Sequence, residues 1–127
     1  MLMEALRTYL ENETQVPFRV GPEVPEMPDV LGIVTTEPGQ GYVNDGLFEV
    51  VGFRVQVRGG QNRHTDVEAY ARQVDRLIEY GDYPHERWGS WVITAYRSSG
   101  GPTPAPLDNG RRVIYSCSYL AQEATDL

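Results

Sequence analysis

The stretch from Leu47 to Gly81 constrains this chain more than any other. It reads as one long strand, a short polar break and one amphipathic helix. From Val51 onward the odd positions Val51, Phe53, Val55 and Val57 are apolar, while the even positions Arg54, Gln56 and Arg58 are polar. A period of two sets one face on a core and the other toward water or a partner. Gly59-Gly60-Gln61-Asn62 ends the strand. Thr65-Asp66-Val67-Glu68 has the spacing of a capping box, with a hydroxyl at the helix start and a carboxylate three residues on. Val67, Tyr70, Ala71, Val74, Leu77 and Ile78 then recur at helical spacing as one apolar stripe, and Gly81 stops it. A strand face and a helix stripe of matching length, joined by so short a break, pack on each other.

The rest of the chain fits round that pair. Residues 1–14 carry Leu2, Met3, Leu6, Tyr9 and Leu10 on one side, with Glu4 and Arg7 spaced to pair on the other. Pro17, Pro22, Pro25 and Pro28 exclude a helix from 15–29, where Phe18-Arg19-Val20 is a short extended piece. Residues 30–36 read as a strand, and 37–46, with one proline and three glycines, as a loop joining it to the central strand. That connection is too short for a helical crossover, so the two strands are antiparallel. After the connector 82–86, residues 88–97 read as a third strand. Residues 98–110 read as a serine, glycine and proline loop turned by Asp108-Asn109-Gly110, and 111–120 as the last strand. In that strand Val113, Tyr115, Cys117 and Tyr119 alternate with Arg112, Ile114, Ser116 and Ser118. The polar tail from Gln122 is expected to fray. The order α-β-β-α-β-β implies one α+β domain over 1–127. Its expected architecture is a mostly antiparallel sheet of about four strands with both helices on one face.

Composition narrows the function. A chain of 127 residues is long enough to bury roughly two-thirds of its unfolded surface as one domain. No run approaches the ~20 apolar residues of a membrane span, and the first residues lack the hydrophobic run of a secretory signal. The formal charge of −7 argues against adhesion to nucleic-acid backbone or to an acidic membrane surface. Every basic side chain is arginine, so P-loop and Schiff-base lysine chemistry is absent. A lone Cys117 cannot close an internal disulfide, which suits a reducing compartment.

The catalytic candidates are few, and each has a structural explanation beside it. His64, Asp66 and Glu68 could serve acid–base chemistry in one cleft. The same three residues are also what a helix start selects, with acids in the first turn. His85-Glu86 lies in a connector, and two histidines so far apart make no zinc signature. Cys117 falls mid-strand, as a small buried apolar residue does. Gly59-Gly60 does not continue into a phosphate-binding motif. Trp88, Trp91, Tyr96 and Arg97 could stack bases, but the acidic charge opposes that. No cofactor or metal is expected. The long loops and the polar edge of Arg54, Gln56 and Arg58 fit surfaces that meet a neighbour.

Taken along its whole length, the chain resembles the tail terminator and minor capsid, or head–tail joining, proteins of long-tailed bacteriophages. The resemblance is carried by several features in order. A short N-terminal helix, Met1 to about Glu13, leads to a proline-rich segment and Pro28-Asp29-Val30-Leu31-Gly32-Ile33. A strand ending Val55-Gln56-Val57-Arg58-Gly59 precedes a helix with Ala69, Ala71 and Leu77, and Pro106-Leu107-Asp108-Asn109-Gly110-Arg111 opens the final strand. The loop 37–46 and Trp88-Gly89-Ser90-Trp91 have no counterpart in that pattern. The resemblance implies a non-enzymatic virion protein of the tail or neck, assembled in the host cytoplasm. It implies a homo-oligomeric ring, commonly of six subunits, that stops growth of the tail tube. Its implied partners are the tail tube protein and a head–neck connector protein, with DNA passing through unbound. The expected subunit or tube contacts are Arg54, Gln56, Arg58, Tyr42, Asp108 and Arg111. The alternatives are a head-closure or other neck connector, a small acid–base enzyme using His64, Asp66 and Glu68, and a host-encoded binding domain.

Overall fold

The fold was determined as a computed structural model describing residues 2–21, 30–43, 48–80, 92–98, 100–105 and 112–124. Helix α1, Leu2–Thr14, is followed by strands β1, Phe18–Val20, β2, Leu31–Val43, and β3, Phe48–Gly59. A 3-10 turn, Gln61–Arg63, leads into helix α2, His64–Glu79. Strands β4, Val92–Arg97, β5, Thr103–Ala105, and β6, Val113–Ala124, complete the order. The six strands form one sheet in the order β1-β2-β3-β6-β4, with β5 also paired to β6. All pairs are antiparallel except β1 with β2. Because β3 and β4 both run antiparallel to β6, they run parallel to each other, and α2 is the crossover such a pair requires.

The strand–helix unit read from the sequence is the centre of the fold. Phe53, Val55 and Val57 on β3 and Tyr115, Cys117, Tyr119 and Ala121 on β6 share one core with Val67, Ala71, Val74 and Ile78 of α2. Met3, Leu6 and Leu10 of α1 close the same core, so both helices cover one face. Each fully buried Leu, Ile, Val or Phe contributes about 1.5–3 kcal/mol, and Leu6, Leu10, Phe53, Val67 and Ile78 are all at 0% exposure. Helix α1 carries the expected Glu4–Arg7 pair at 3.1 Å. It ends where Gln15 turns to φ 61 and donates its N–H to the Glu11 carbonyl at 2.9 Å. The Phe18 N–H is then held by a Glu11 carboxylate oxygen at 2.9 Å, which starts β1.

Four expectations need correction. The sheet has six strands rather than about four, because β1 and β5 add to the four long ones. The segment 37–46 is not a simple loop. The β2–β3 ladder continues past Glu37–Gly52 to Gly41–Val50, leaving Pro38, Gly39 and Gln40 as a bulge opposite Val51. The glycines there admit close backbone approach. A Cβ on Gly39 would lie 2.1 Å from the Val50 carbonyl oxygen, and one on Gly52 would lie 2.5 Å from that of Pro38. The tail does not fray at Gln122, since Gln122, Glu123 and Ala124 pair with Val50, Glu49 and Phe48 through backbone groups that are indifferent to side-chain polarity. The Ser98–Gly110 loop contains β5, in which Pro104 is tolerated because the strand is an edge.

The capping box is a further difference. Helix α2 begins one residue before Thr65, its N-cap is Arg63, and no side chain caps it. The preceding 3-10 turn delivers the chain already helical at His64, with φ −54 and ψ −48, so Thr65 falls inside the first turn. At the other end Tyr80 donates its N–H to the Arg76 carbonyl at 3.0 Å. Gly81 lies outside the described residues.

Candidate interaction site

The face of the sheet opposite the helices carries the even positions of β3. Arg54 is 41% exposed, with Nη1 3.9 Å from a Glu37 carboxylate oxygen, and Gln56 is half-buried. Arg58 departs from the expected polar edge, because it is buried at 1% exposure. Its register partners explain this: Leu31 on β2 and Ile114 on β6 flank it and are themselves 1% and 6% exposed. An arginine can lay its methylene stem along such a surface. Tyr42 stands on β2 opposite Glu49. Asp108 and Arg111, like His85, Glu86, Trp88 and Trp91, lie outside the described residues.

His64, Asp66 and Glu68 engage three different partners. His64 Nε2 lies 3.3 Å from the Tyr115 hydroxyl, and the two rings meet edge to face at 5.6 Å. Asp66 pairs with Arg63 at 3.3 Å, and Glu68 with Arg72 at 3.1 Å. All three are accounted for as the first turns of α2. Cys117 is buried, as a strand residue at that parity should be, and burial pushes its thiol above its ordinary range, which disfavours the thiolate a nucleophile needs.

The charged centre of the fold was not anticipated from the sequence. Asp75 of α2 is 5% exposed and receives a two-pronged contact from Arg97 of β4, with Nε at 2.9 Å from Oδ1 and Nη2 bonded to Oδ2. The Tyr119 hydroxyl donates to Oδ1 at 3.0 Å, and the Tyr119 ring stacks on Phe53 at 5.5 Å. The Arg97 backbone N–H donates to a Glu79 carboxylate oxygen at 2.7 Å. These bonds tie α2 to β4 and β6. The Asp75 hydrogen bond holds the Arg97 guanidinium above its ordinary range. Burial, then the Cys117 thiol and the Asp75 carboxylate, hold the Tyr119 hydroxyl above its own. The Arg97 guanidinium is thus committed through its N–H edge to a contact inside the fold. The signal was present: Asp75 sits four residues after Ala71 and eight after Val67, an acid within the apolar stripe.

Among the described residues, the bulged end of the β2–β3 ladder borders a cleft near the first turn of α1. The cleft holds about 570 Å³, with Met3, Val20 and Val51 among its apolar walls and Gly41 at its edge. Glu49 and Glu123, which also line it, are direct cross-strand partners in the β3–β6 ladder. Among the described residues no group of His, Cys, Asp and Glu could hold a metal ion, and no helix is long and apolar enough to cross a membrane.

No family model matches this chain, and no curated protein matches it in sequence. Among solved structures, its fold is similar to that of a chain in one described as the virion of a native gene transfer agent particle. The TM-score is 0.59 at 13% identity, over 98% of this chain and 92% of that one. At that identity the likeness is one of fold.

Proposed function

We propose that this chain is a structural virion protein that forms a ring at the head-proximal end of a phage tail, ending tube growth and joining the tail to the neck. The observation that carries the reading is the fold likeness to a virion chain across 98% of the present one. The resemblance to tail terminators agrees with it in order and spacing. The sheet supports it physically. Arg54 and Gln56 lie on the face away from the helices, and Tyr42 on the bulged extension of β2. With Asp108 and Arg111 they are the proposed contacts to a neighbouring subunit or to the tube. Arg58 contributes from beneath that surface, as a buried support for the strands that carry it. If part of the acid of a ring of copies each at −7 lines its channel, it repels the DNA backbone and lets the genome pass without adhering.

Mass in solution across a concentration series, with negative-stain images, tests the reading. A closed ring near six subunits is the expected result. A monomer that still fails to cap added tail tubes, leaving their lengths unrestricted, would overturn it. In a reconstituted particle, neutralising channel-lining acids should slow DNA ejection, and unchanged ejection would remove the electrostatic part of the proposal.

A further inference from the structure

Strands at the margins of a sheet present N–H and C=O groups that invite another chain to pair with them. Three margins of this sheet are already blunted. On β1 the Phe18 N–H is taken by a Glu11 carboxylate oxygen at 2.9 Å. At the end of β4 successive residues face opposite sides. The Ser98 N–H goes to the Ser118 carbonyl of β6 at 3.0 Å, and the Arg97 N–H goes outward to the Glu79 carboxylate at 2.7 Å. Val92 and Ala95 of the same strand are 0% and 3% exposed, so no incoming strand reaches them. β5 carries Pro104, which has no N–H to offer. The outer side of β2 is different. β1 covers it only at Gly32, Ile33 and Val34. From Thr35 on it has no strand partner among the described residues, and Thr36, Pro38, Gly39, Gln40 and Gly41 are exposed. The β-branched pair Thr35-Thr36 favours an extended chain there.

The bulge falls on this exposed stretch. Between Glu37–Gly52 and Gly41–Val50, β2 advances 41 − 37 = 4 residues while β3 advances 52 − 50 = 2, so β2 carries two extra residues. A strand of regular spacing cannot follow β2 across that step. Pro38 removes a donor from it. Gly39 and Gly52 serve the bulge by close backbone approach and Gly41 by its φ of +74, so three glycines are committed to one irregularity. We propose that the Pro38–Gln40 bulge guards the open edge of this sheet, and that with Glu11, Glu79 and Pro104 it keeps one copy from adding to another strand on strand. Association between copies is then left to side-chain surfaces, and it does not run on as a fibre. The guard acts whether or not the chain closes into a ring.

Two variants of the full chain test it. Light scattering and thioflavin T fluorescence over a concentration series are the readouts, with far-UV circular dichroism as the check on folding. The first variant lacks Gly39 and Gln40 and carries Pro38→Thr, which leaves one residue opposite Val51 and gives it an N–H. The second is Pro38→Thr alone. The first should form growing, thioflavin-positive assemblies at concentrations about tenfold below any at which the wild type does, since each regained edge hydrogen bond is worth roughly fivefold. The second should shift the same way by less. Thr36→Lys placed in the first variant should abolish the growth, because a charge on an edge strand repels its own copy. A first variant that is folded and keeps the wild-type size overturns the proposal. Growth that Thr36→Lys leaves unchanged also overturns it, since that growth comes from unfolding. If the first variant does not fold, Pro38→Thr decides, and size and fluorescence identical to the wild type overturn the guard. A wild type that itself grows thioflavin-positive assemblies overturns it as well. The ring reading is judged separately, by the size of the wild type and its capping of tubes.

Discussion

At the scale of single residues, one buried carboxylate joins three elements. Asp75 accepts from Arg97 and Tyr119 together, so its loss strands two donors at once. Removing one partner of a fully buried pair costs about 3–5 kcal/mol, but Arg97 is 33% exposed and water can reach it. Asp75→Asn should therefore cost about 2 kcal/mol and lower Tm by roughly 8 °C in thermal unfolding. A Tm unchanged within a degree would show that the cluster does not hold α2 to β4. The same cluster sets a pH limit. The Tyr119 hydroxyl and the Cys117 thiol ionise above their ordinary values of 10.0 and 9.0 when folded. The unfolded chain therefore sheds these protons first as pH rises. The stability they lend is whole below pH ~9 and falls above it, by up to ~1.4 kcal/mol per pH unit for each group. Urea midpoints between pH 8 and 11 should show the decline. Tyr119→Phe should flatten the part above pH ~10, because only the tyrosine's share is removed.

At the scale of elements, the bulge in β2 is where backbone geometry overrides composition. Gly39 faces the Val50 carbonyl oxygen so closely that a methyl group there collides with backbone, which cannot rotate aside. Gly41 has open space but a φ of +74. Gly39→Ala should thus cost about 2–3 kcal/mol by steric displacement, and Gly41→Ala about 1 kcal/mol by strain. Gly100→Ala, with open space and ordinary φ, should be close to neutral. Chemical denaturation of the three variants checks the ranking, and equal costs at positions 39 and 100 would refute the packed bulge. The helices show the reverse relation. Their apolar stripes predicted burial correctly at Met3, Leu6, Leu10, Val67, Ala71, Val74 and Ile78, because a helix buries whichever face its own sequence makes apolar. The expected cap at Thr65 did not form. A local motif competes with what precedes it, and the 3-10 turn had already started the helix.

At the scale of the whole molecule, the sheet has two differently finished faces. One is sealed by both helices over most of its length, and the other carries Arg54 and Gln56 beside a buried patch of Leu31, Ile33, Arg58 and Ile114. Arg54 and Gln56 stand on an interior strand, so a neighbour that meets them meets the sheet face and not its edge. The net charge acts at this scale as well. A chain at −7 should not retard duplex DNA in a gel at ~0.15 M salt, and retention that weakens steeply with salt would show a basic surface that the composition conceals.

Periodicity in the sequence was enough for the α+β class, the presence of four longer strands, both helices, the antiparallel joining of β2 to β3 and the inward side of β3 and of both helices. These follow from periodicity, because residues two apart on a strand or three and four apart on a helix share a face whatever lies opposite. Only the tertiary structure decided the sheet order, the pairing of β6 through Ala124, the small strands β1 and β5, and the burial of Arg58 and Asp75. Those outcomes depend on partners far away in the chain: Ala124 pairs with Phe48, and Asp75 meets Arg97 and Tyr119. A polar side chain is buried when the fold delivers a partner or an apolar flank to it, and neither is written in its immediate neighbours.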